Sequence, residues 1–336
     1  MKKIKFGIAG LGRMGSIHLE NLANKFNDIE LVAISDINPN IKELAEKYSV
    51  PNFYTNYQDL VNNKDIDAVV ICSPTNFHAD HIMMAAKSGK EIFCEKPMDL
   101  SLDTVSKVIK VIDEADINLF LAFNRRFDPN FKRVKEIVSN GNIGEIQIIK
   151  ITSRDPSPPP ISYIKTSGGL FLDMSIHDFD MVRFISGKEI VEVDAKGVVF
   201  NDVEIEKNGD IDTAVITLTL ENNAMVVIDN SRKAAYGYDQ RIEVFGSKGM
   251  CGSDNKLHDN FYLFDKKGSQ GSLPMDFFMD RYSESYYNEM KSFIECLKNN
   301  KKPPVNGKDG LMALVIGLAA KKSMQEKRRV KISEIL

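Results

Sequence analysis

The first 123 residues alternate short apolar runs with amphipathic stretches, and this pattern changes after Phe123. Continuous apolar runs bounded by turn residues are typical of strands buried on both faces of a parallel sheet. Apolar residues between the runs recur at helical spacing, most clearly over 102–112. The pattern therefore predicts a doubly wound parallel sheet with helices on both faces, an α/β Rossmann architecture. The predicted strands are 4–9, 29–35, 67–72, 91–94 and 117–123.

Consecutive strands in which apolar and polar residues alternate dominate the rest of the chain. Alternation of period two favours a sheet with one buried face, antiparallel or mixed. One predicted strand ends at 153, and the others are 191–200, 213–220, 224–230 and 240–245. The predicted helices are 128–138, 175–185, 281–298 and 309–325. We therefore expect two domains, with a Rossmann domain at 1–123 and an α+β domain with an open, mostly antiparallel sheet at 124–336.

The first predicted strand runs directly into a glycine motif, Gly10-x-Gly12-x-x-Gly15. Gly10 allows a tight turn, Gly12 lets a pyrophosphate approach the backbone, and Gly15 lets the first helix pack closely on the strand. The helix begins near Arg13, so the backbone N–H groups of Arg13 and Met14 would point towards the phosphates. The motif predicts a dinucleotide-binding turn.

The second predicted strand ends on Asp36, which lies 21 positions after Gly15. This is close to the spacing at which an acidic residue hydrogen-bonds the adenosine ribose in dinucleotide folds. A carboxylate there would repel a 2′-phosphate, so the pattern favours NAD over NADP. A glycine-rich turn without a ligand is the alternative, but the strand, helix, second strand and terminal acid around the motif argue against it.

Polar residues follow the predicted strands 67–72 and 91–94 at the carboxyl edge of the sheet, where ligands bind in open α/β sheets. Pro97 restricts Lys96 to an extended backbone, and a lysine held at this edge can hydrogen-bond a substrate hydroxyl or stabilise a developing alkoxide. A solvated lysine is the alternative. His81, on the next helix, is expected to be structural. The residues expected to line the dinucleotide at this edge are Ser73, Pro74, Thr75, His78, Glu95 and Lys96.

Asp173 and His177 are four residues apart, so on a helix their side chains would be neighbours. A histidine suits the removal of a hydroxyl proton near neutral pH, and an adjacent carboxylate can orient its ring and stabilise the imidazolium. Two alternatives remain: a surface acid–imidazole pair without a role, and a metal site formed with Asp180. We expect no metal, because no further well-spaced histidine or cysteine supports one.

Three further polar segments follow predicted strands. Arg125 and Arg126 follow the predicted strand 117–123, where one could hold a polar substrate by forked hydrogen bonds and the other could pair with an acid. The segments Arg154–Pro156 and Tyr236–Tyr238 combine polar and aromatic groups that suit a sugar-like ligand, although ordinary loops have the same composition.

The overall composition excludes some classes of function. The 336 residues carry a net charge of −3 with both signs scattered, which argues against a nucleic-acid surface. The sequence contains no run of about 18 apolar residues, so we expect no membrane span. The N-terminus leads into a predicted strand and lacks the apolar stretch of a signal peptide. The spacing of the cysteines is not that of a metal site or a redox motif, so we expect the protein to be in the reducing cytoplasm. They are Cys72, Cys94, Cys251 and Cys296.

Together these motifs resemble, along the whole chain, the glucose–fructose oxidoreductase, inositol dehydrogenase and rhizopine catabolism family. The matching pieces are the glycine motif, Cys94–Pro97, and Asp173-x-x-x-His177. The longer stretches 152–181 and 236–246 look most like the inositol 2-dehydrogenase members of this family. These stretches are far more specific than the glycine motif.

The resemblance implies oxidation of the axial alcohol of myo-inositol to a 2-keto inositol, with NAD as hydride acceptor. It implies that Lys96, Asp173 and His177 form the catalytic set, and that Arg125, Asp155 and Tyr236 lie near the polyol. It also implies tetramers built through the open face of the second sheet. Position 155 is Asn in some family members, so the inositol isomer stays open. The alternatives are scyllo-inositol, an aldose such as glucose, a transferase-like member with tightly held cofactor, and an NAD-binding regulator without turnover.

Overall fold

The computed structural model describes residues 3–336, which form two compact units. The first unit comprises the residues up to Phe123 together with Tyr286–Met312, and the second comprises Asn124–Ser285 together with Ala313–Leu336. The boundary at 123 coincides with the expected one, whereas 286–312 groups with the first unit. The physical reason is aromatic packing, because the ring of Phe293 lies 5.7 Å from those of Phe93 and Phe120, measured between centroids.

The first unit contains a six-stranded parallel sheet in the order β3-β2-β1-β4-β5-β6. The chain moves outward from β1 in one direction and later in the other, so the order reverses between β1 and β4 and opens a ligand crevice beyond their carboxyl ends. The predicted doubly wound parallel sheet is confirmed. Its strands are β1 (Ile4–Ala9), β2 (Ile29–Ser35), β3 (Asn52–Tyr54), β4 (Ala68–Ile71), β5 (Glu91–Glu95) and β6 (Leu119–Ala122).

Amphipathic helices connect these strands. In the fifth helix Val105, Val108 and Ile112 form the buried face, and Ser101 caps the helix because its side chain accepts a hydrogen bond from the backbone N–H of Thr104. A 3₁₀ turn precedes the fourth helix, and no side chain caps it. The helices are α1 (Arg13–Asn24), α2 (Ile41–Lys47), α3 (Tyr57–Asn62), α4 (His78–Lys87) and α5 (Leu102–Ala115).

The second unit is built on a seven-stranded sheet in the order β12-β11-β7-β10-β9-β8-β15. β7 and β10 run parallel, whereas the other neighbouring pairs are antiparallel. The predicted open, mostly antiparallel sheet is therefore confirmed. Its strands are β7 (Ile146–Arg154), β8 (Ile190–Val198), β9 (Thr213–Leu220), β10 (Met225–Ser231), β11 (Asp239–Gly246), β12 (Gly249–Ser253) and β15 (Val330–Lys331).

Helices and a separate hairpin complete the chain. The short elements α7, α8, α10 and the hairpin β13–β14 are absent from the sequence prediction, because four to seven residues carry no clear period. Within residues 3–336, no helix combines the length and apolarity that a membrane span needs. The elements are α6 (Pro129–Ser139), α7 (Ile161–Ser167), α8 (Leu170–Asp173), α9 (Ser175–Ser186), α10 (Val203–Lys207), β13 (Tyr262–Asp265), β14 (Gly268–Gly271), α11 (Phe278–Arg281), α12 (Ser283–Asn299) and α13 (Gly307–Glu326).

Candidate active site

The glycine turn after β1 is shaped by three different steric requirements. Gly10 has a φ of +82°, and a Cβ on it would lie 2.4 Å from the backbone nitrogen of Ser73. A Cβ on Gly15 would lie 1.8 Å from the carbonyl oxygen of Gly10, so only glycine lets α1 pack against the turn. A Cβ on Gly12 would meet no atom within 4 Å. The chain's own packing therefore does not explain a glycine at position 12, whereas close approach by a phosphate does.

The N-terminus of α1 faces this open space. Gly12 is its N-cap, no side chain caps the helix, and its first turn contains no acidic residue. Arg13 and Met14 are the first two helical residues. The uncapped N–H groups and the positive end of the helix dipole form an anion-binding site that fits a pyrophosphate.

Asp36 follows β2 and lies beside the same turn. One carboxylate oxygen accepts a hydrogen bond from the backbone N–H of Leu11, and the other accepts from that of Asn38 at 2.8 Å. Each oxygen keeps a second lone pair, so the carboxylate can still accept from ribose hydroxyls. The two backbone bonds fix the carboxylate next to the glycine turn, which fits the expected recognition of an unphosphorylated ribose.

The segment after β4 is tied to the Lys96–Pro97 segment by His78. The ring Nε2 of His78 lies 2.6 Å from the carbonyl oxygen of Ser73, and its Nδ1 lies 2.7 Å from that of Pro97. His78 is 2% exposed, and burial lowers its pKa below the usual value. We expected His78 to bind the cofactor, but both of its ring nitrogens contact backbone carbonyl groups of the protein. Ser73 Oγ contacts His81 Nδ1 at 3.0 Å. Of the next two residues, Pro74 is exposed and Thr75 is partly exposed.

Glu95, the last residue of β5, is 8% exposed and pairs with a buried histidine. Its Oε1 lies 2.9 Å from Nε2 of His18 on α1. Glu289 lies beside this pair, with its Oε1 3.9 Å from the same nitrogen. Burial, together with the nearby Glu95 carboxylate, raises the pKa of Glu289 well above its usual range. Glu95 therefore bonds within the protein and holds α1 against β5.

Lys96 is partly exposed, whereas every other residue of the stretch 92–98 is buried. It directly follows β5, at the carboxyl edge of the parallel sheet. The Lys96–Pro97 peptide bond is cis. An ammonium group at this edge can donate hydrogen bonds to a ligand bound there.

Asp173 and His177 lie at the junction of α8 and α9. Asp173 is the last residue of α8, and His177 lies in the first turn of α9. In the stretch 170–182 these two side chains are partly exposed and every other residue is buried. The Nδ1 atom of His177 is buried, so Nε2 is the ring nitrogen that can reach a ligand. The junction therefore presents one carboxylate and one imidazole from an otherwise buried segment.

Asp173 is held by two groups from other segments. The hydroxyl of Tyr163 on α7 donates to its Oδ1 at 2.8 Å. Nη1 of Arg232, in the loop after β10, donates to its Oδ2 at 3.3 Å. Arg232 also lies 3.5 Å from Oδ2 of Asp210. These contacts favour the ionised, oriented form of the Asp173 carboxylate.

Asp155, directly after β7, belongs to the same electrostatic cluster. Burial raises its pKa from 3.8 to about 7; the positive charge of Arg232 opposes this rise and the negative charge of Asp173 adds to it. The parallel pairing of β7 and β10 places Arg154 opposite Ser231, so the next residues, Asp155 and Arg232, both leave the sheet at the same edge. Asp155 titrates near neutral pH as a result.

The two arginines after β6 both pair with acids on α9. Arg125 Nη1 donates to Asp178 Oδ1 at 2.6 Å and to Ser153 Oγ at 2.9 Å. Arg126 donates to both carboxylate oxygens of Asp180, at 2.5 and 2.8 Å. The forked hydrogen bonds that one arginine was expected to make to a substrate thus join Arg126 to Asp180. Asp180 therefore lies in an ion pair rather than beside Asp173 and His177.

Tyr236 lies on an exposed cleft of about 490 Å³. Its hydroxyl donates to Asp239 Oδ2 at 2.6 Å and accepts from Arg154 Nη1 at 2.9 Å. Arg154 also donates to Asp229 Oδ1 at 2.6 Å. The structure thus places Tyr236 in a network with these residues, and gives no contact between Tyr236 and Asp155, Asp173 or His177.

Sequence reasoning missed three members of the Asp173 cluster: Tyr163, Asp210 and Arg232. Each lies in a loop or a short helix, outside the segment that carries Asp173 and His177. The available signal was Gly168-Gly169, since a Cβ on Gly169 would lie 2.7 Å from Asp210 Oδ1. That signal indicates a crowded turn but does not identify the partner.

Two protein-family models match this chain. The model described as oxidoreductase family, NAD-binding Rossmann fold, matches residues 4–123, and the GFO/IDH/MocA C-terminal domain matches 131–251. The chain is 50% identical to the myo-inositol 2-dehydrogenase of Thermotoga maritima, over 99% of this chain and 100% of that one. It is 43% identical to the inositol 2-dehydrogenase of Rhizobium meliloti, over 98% and 99% of the two chains.

A solved structure shows the same similarity. The scyllo-inositol dehydrogenase of Lactobacillus casei, crystallised with NAD(H) and scyllo-inositol, superposes with a TM-score of 0.91 at 33% identity. The match covers 99% of this chain and all of that one. The similarity therefore extends over the glycine turn and over the segments that carry Lys96, Asp173 and His177.

Proposed function

The chain belongs to the GFO/IDH/MocA oxidoreductase family, and on that premise we propose that it oxidises myo-inositol to 2-keto-myo-inositol (scyllo-inosose). It is an NAD-dependent dehydrogenase that acts on CH–OH groups. The proposed substrate follows from 50% identity to a myo-inositol 2-dehydrogenase over nearly the whole chain. The chemistry of the site residues supports the same reaction.

The observation that carries the mechanism is the junction of α8 and α9, where Asp173 and His177 alone reach the surface from a buried stretch. His177 acts as the general base and takes the hydroxyl proton at Nε2. Asp173 orients the imidazole and stabilises its charged form, while Tyr163 and Arg232 hold the carboxylate in place. A positioned base of this kind contributes about 10²–10⁴-fold to a rate.

In the first unit, Lys96 and the glycine turn supply the other functions. Lys96 donates a hydrogen bond to the reacting hydroxyl and stabilises negative charge as the proton leaves. The turn at Gly12 and the N-terminus of α1 hold the pyrophosphate, and Asp36 holds the adenosine ribose. When bound, NAD accepts the hydride that leaves the alcohol carbon.

Three residues of the second unit are proposed to form the polyol site: Asp155 and Tyr236 bind the remaining hydroxyls, and Arg125 supports them from the interior. Asp155 is the best supported, because it belongs to the same electrostatic cluster as Asp173 and is only partly buried. Tyr236 is 38% exposed and lies on the exposed cleft. Arg125 is buried, so its contribution is to hold Asp178 and Ser153 and to place positive charge near Asp155.

A second candidate substrate is scyllo-inositol. It is favoured by the match to the Lactobacillus casei scyllo-inositol dehydrogenase and by 33% identity to a scyllo-inositol 2-dehydrogenase of Bacillus subtilis. The two isomers differ in the configuration at one carbon, so the arrangement of hydrogen-bond partners decides between them. Glucose and other aldoses are weaker candidates, and an NAD-binding regulator without turnover is weaker still.

The test is absorbance at the NADH band when the purified protein meets NAD with myo-inositol, scyllo-inositol or glucose in turn. A rise largely confined to myo-inositol supports the proposal. A rise confined to scyllo-inositol or glucose keeps the reaction and changes the substrate. Absence of any rise, with NAD binding demonstrated by calorimetry, contradicts the proposed activity.

We further propose that the protein is a cytoplasmic homotetramer that acts in myo-inositol catabolism. One face of the second sheet leaves apolar side chains exposed, and such a face favours association between copies. The four cysteines are free, as in proteins of reducing compartments. Light scattering after size exclusion measures the assembly, and a monomer at working concentration would contradict it. The exposed apolar residues of this sheet are Val191, Val198, Val215, Met225, Val227, Phe245 and Met250.

A further inference from the structure

Arg232 is the largest of the fully buried side chains in the described part of the molecule, with 1% of its surface exposed. A guanidinium stays protonated when buried, so it loses its hydration and requires acids around it. Its Nε has no hydrogen-bond partner. An apolar side chain of similar volume would avoid this desolvation cost. Stability alone therefore does not explain an arginine at this position.

The contacts of Arg232 join the two ends of α8. At one end, Nη2 lies 3.5 Å from Oδ2 of Asp210, and Oδ1 of Asp210 accepts the backbone N–H of Leu170 at 2.9 Å. At the other end, Nη1 lies 3.3 Å from Oδ2 of Asp173. Gly169 precedes this turn, and its lack of a Cβ leaves room for the Asp210 carboxylate. Arg232 thus clamps the single helical turn that carries Asp173.

Arg232 also supplies positive charge to a cluster of acids. Removing that charge would raise the pKa of each nearby acid, whether carboxylic acid or imidazolium, because its proton would be held more tightly. Removing one of the negative charges would have the opposite effect. The charged and titratable groups around the cluster are Tyr163 on α7, Asp173 on α8, Asp210 before β9, Asp155 after β7, and Arg125 and Asp178 beside Asp155.

We propose that Arg232 is a positioning residue that holds Asp173 ionised and in one orientation, so that Asp173 can orient His177 and stabilise its charged form. Arg232 acts through Asp173 and does not touch the substrate, since it is buried. The inference rests on the proposed function, which gives Asp173 and His177 their roles. It extends that function by naming the group that sets the pH at which the base works.

The experiment compares Arg232→Gln with Asp210→Asn in the full-length protein, using myo-inositol and NAD. For Arg232→Gln we expect kcat to fall at least about 10-fold and the acid limb of the kcat/KM profile to move up by about 0.5–1 pH unit. For Asp210→Asn, which keeps the acceptor for Leu170, we expect the acid limb to move down. NAD affinity, measured by calorimetry, should stay within about 2-fold of wild type in both variants.

Opposite shifts are the signature of electrostatic positioning, because a general loss of packing does not move a pH profile in a direction set by the sign of the charge removed. Arg232→Lys keeps the charge and should return the acid limb to its wild-type position. The matched control is Arg281→Gln, since Arg281 is a buried arginine of the same unit whose acid partner is Asp128. Its acid limb should stay where it is.

The proposal is overturned if Arg232→Gln keeps the wild-type kcat and pH profile while His177→Ala abolishes turnover. It is also overturned if Arg281→Gln shifts the profile as Arg232→Gln does. Should Arg232→Gln not fold, an unchanged or upward acid limb in Asp210→Asn overturns it. Wild-type turnover in His177→Ala is a different result, because it removes the proposed base and with it the proposed mechanism.

Discussion

The two units build their functional surfaces from different materials. In the first, the glycine turn proposed to hold the cofactor lies within Gly10–Gly15 and consists of backbone, with one acid at the end of the next strand. In the second, the polar groups around Asp173 come from separate segments and act through buried charged side chains. The first surface depends on the absence of side chains, and the second depends on their mutual contacts.

This difference determines how each surface responds to change. A backbone cradle tolerates or rejects a new atom on steric grounds alone, so its response depends on the position of each glycine. A cluster of buried charges responds to pH and to the loss of any member, because each charge was desolvated to enter it. Substitutions in the two units should therefore produce different experimental signatures.

The largest expected effect is that of Gly15→Ala. The added Cβ would overlap the carbonyl oxygen of Gly10, at 1.8 Å, and that oxygen belongs to backbone that cannot rotate away. We expect a loss of more than about 3 kcal/mol in the free energy of unfolding, or failure to fold. Urea unfolding followed by circular dichroism measures it.

Gly12→Ala is the matched control, because its Cβ would meet no atom within 4 Å. Its free energy of unfolding should stay within about 0.5 kcal/mol of wild type. Its NAD affinity should nevertheless fall at least about 10-fold, since the methyl group occupies space needed by the pyrophosphate. Wild-type NAD affinity in this variant would show that the cradle at Gly12 is not the phosphate site.

The next effect is a pH-dependent gain of stability in Asp155→Asn. The pKa of Asp155 is about 7 in the folded protein against 3.8 in the unfolded chain. Between these values the unfolded chain releases the proton and the folded protein keeps it, so wild-type stability declines as pH rises through this window. The decline amounts to at most about 4 kcal/mol, and it levels off above pH 7.

The Asn variant should therefore be more stable than wild type above pH 7 and equal to it below about pH 3. Urea titrations at several pH values measure this difference. Asp254→Asn, at an exposed position, serves as the control and should give a curve parallel to wild type. If the Asp155→Asn curve is also parallel to wild type, the carboxyl group does not titrate near neutrality.

The smallest effect is that of Asp36→Ser on cofactor preference. Serine removes the carboxylate that would repel a 2′-phosphate, so the NAD-to-NADP ratio of kcat/KM should fall at least about 10-fold. NAD binding should weaken as well, because serine cannot accept from both Leu11 and Asn38. The exposed Asp59 on α3 gives a control, Asp59→Ser, with an unchanged ratio. An unchanged ratio in Asp36→Ser itself would contradict the ribose assignment.

The extent to which sequence predicts structure follows the same division. The glycine turn, Asp36 and the strands around them could be predicted, because local sterics and a fixed period leave direct traces in the residues. The segment 286–312 could not be assigned to the first unit, since its packing against Phe93 and Phe120 involves residues distant in the chain.

The cluster around Asp173 was predicted only in part. The four-residue spacing of Asp173 and His177 identified these two residues. Arg232 could not be identified, because it follows β10, whose parallel pairing with β7 has no signature in the local sequence. The burial of His78 and Glu95, which bond to other groups of the protein, could not be predicted from the sequence either. Whether a polar side chain faces a ligand or another residue depends on tertiary packing, which a single sequence does not display.

If the second unit supplies the base and the first unit holds the cofactor, one substitution should separate the two functions. The most direct measurement is kcat with myo-inositol, together with NAD affinity by calorimetry, for His177→Ala. We predict at least a 100-fold loss of kcat, roughly the contribution of a general base, with NAD affinity within about 2-fold of wild type. A kcat close to that of wild type would contradict this division of roles.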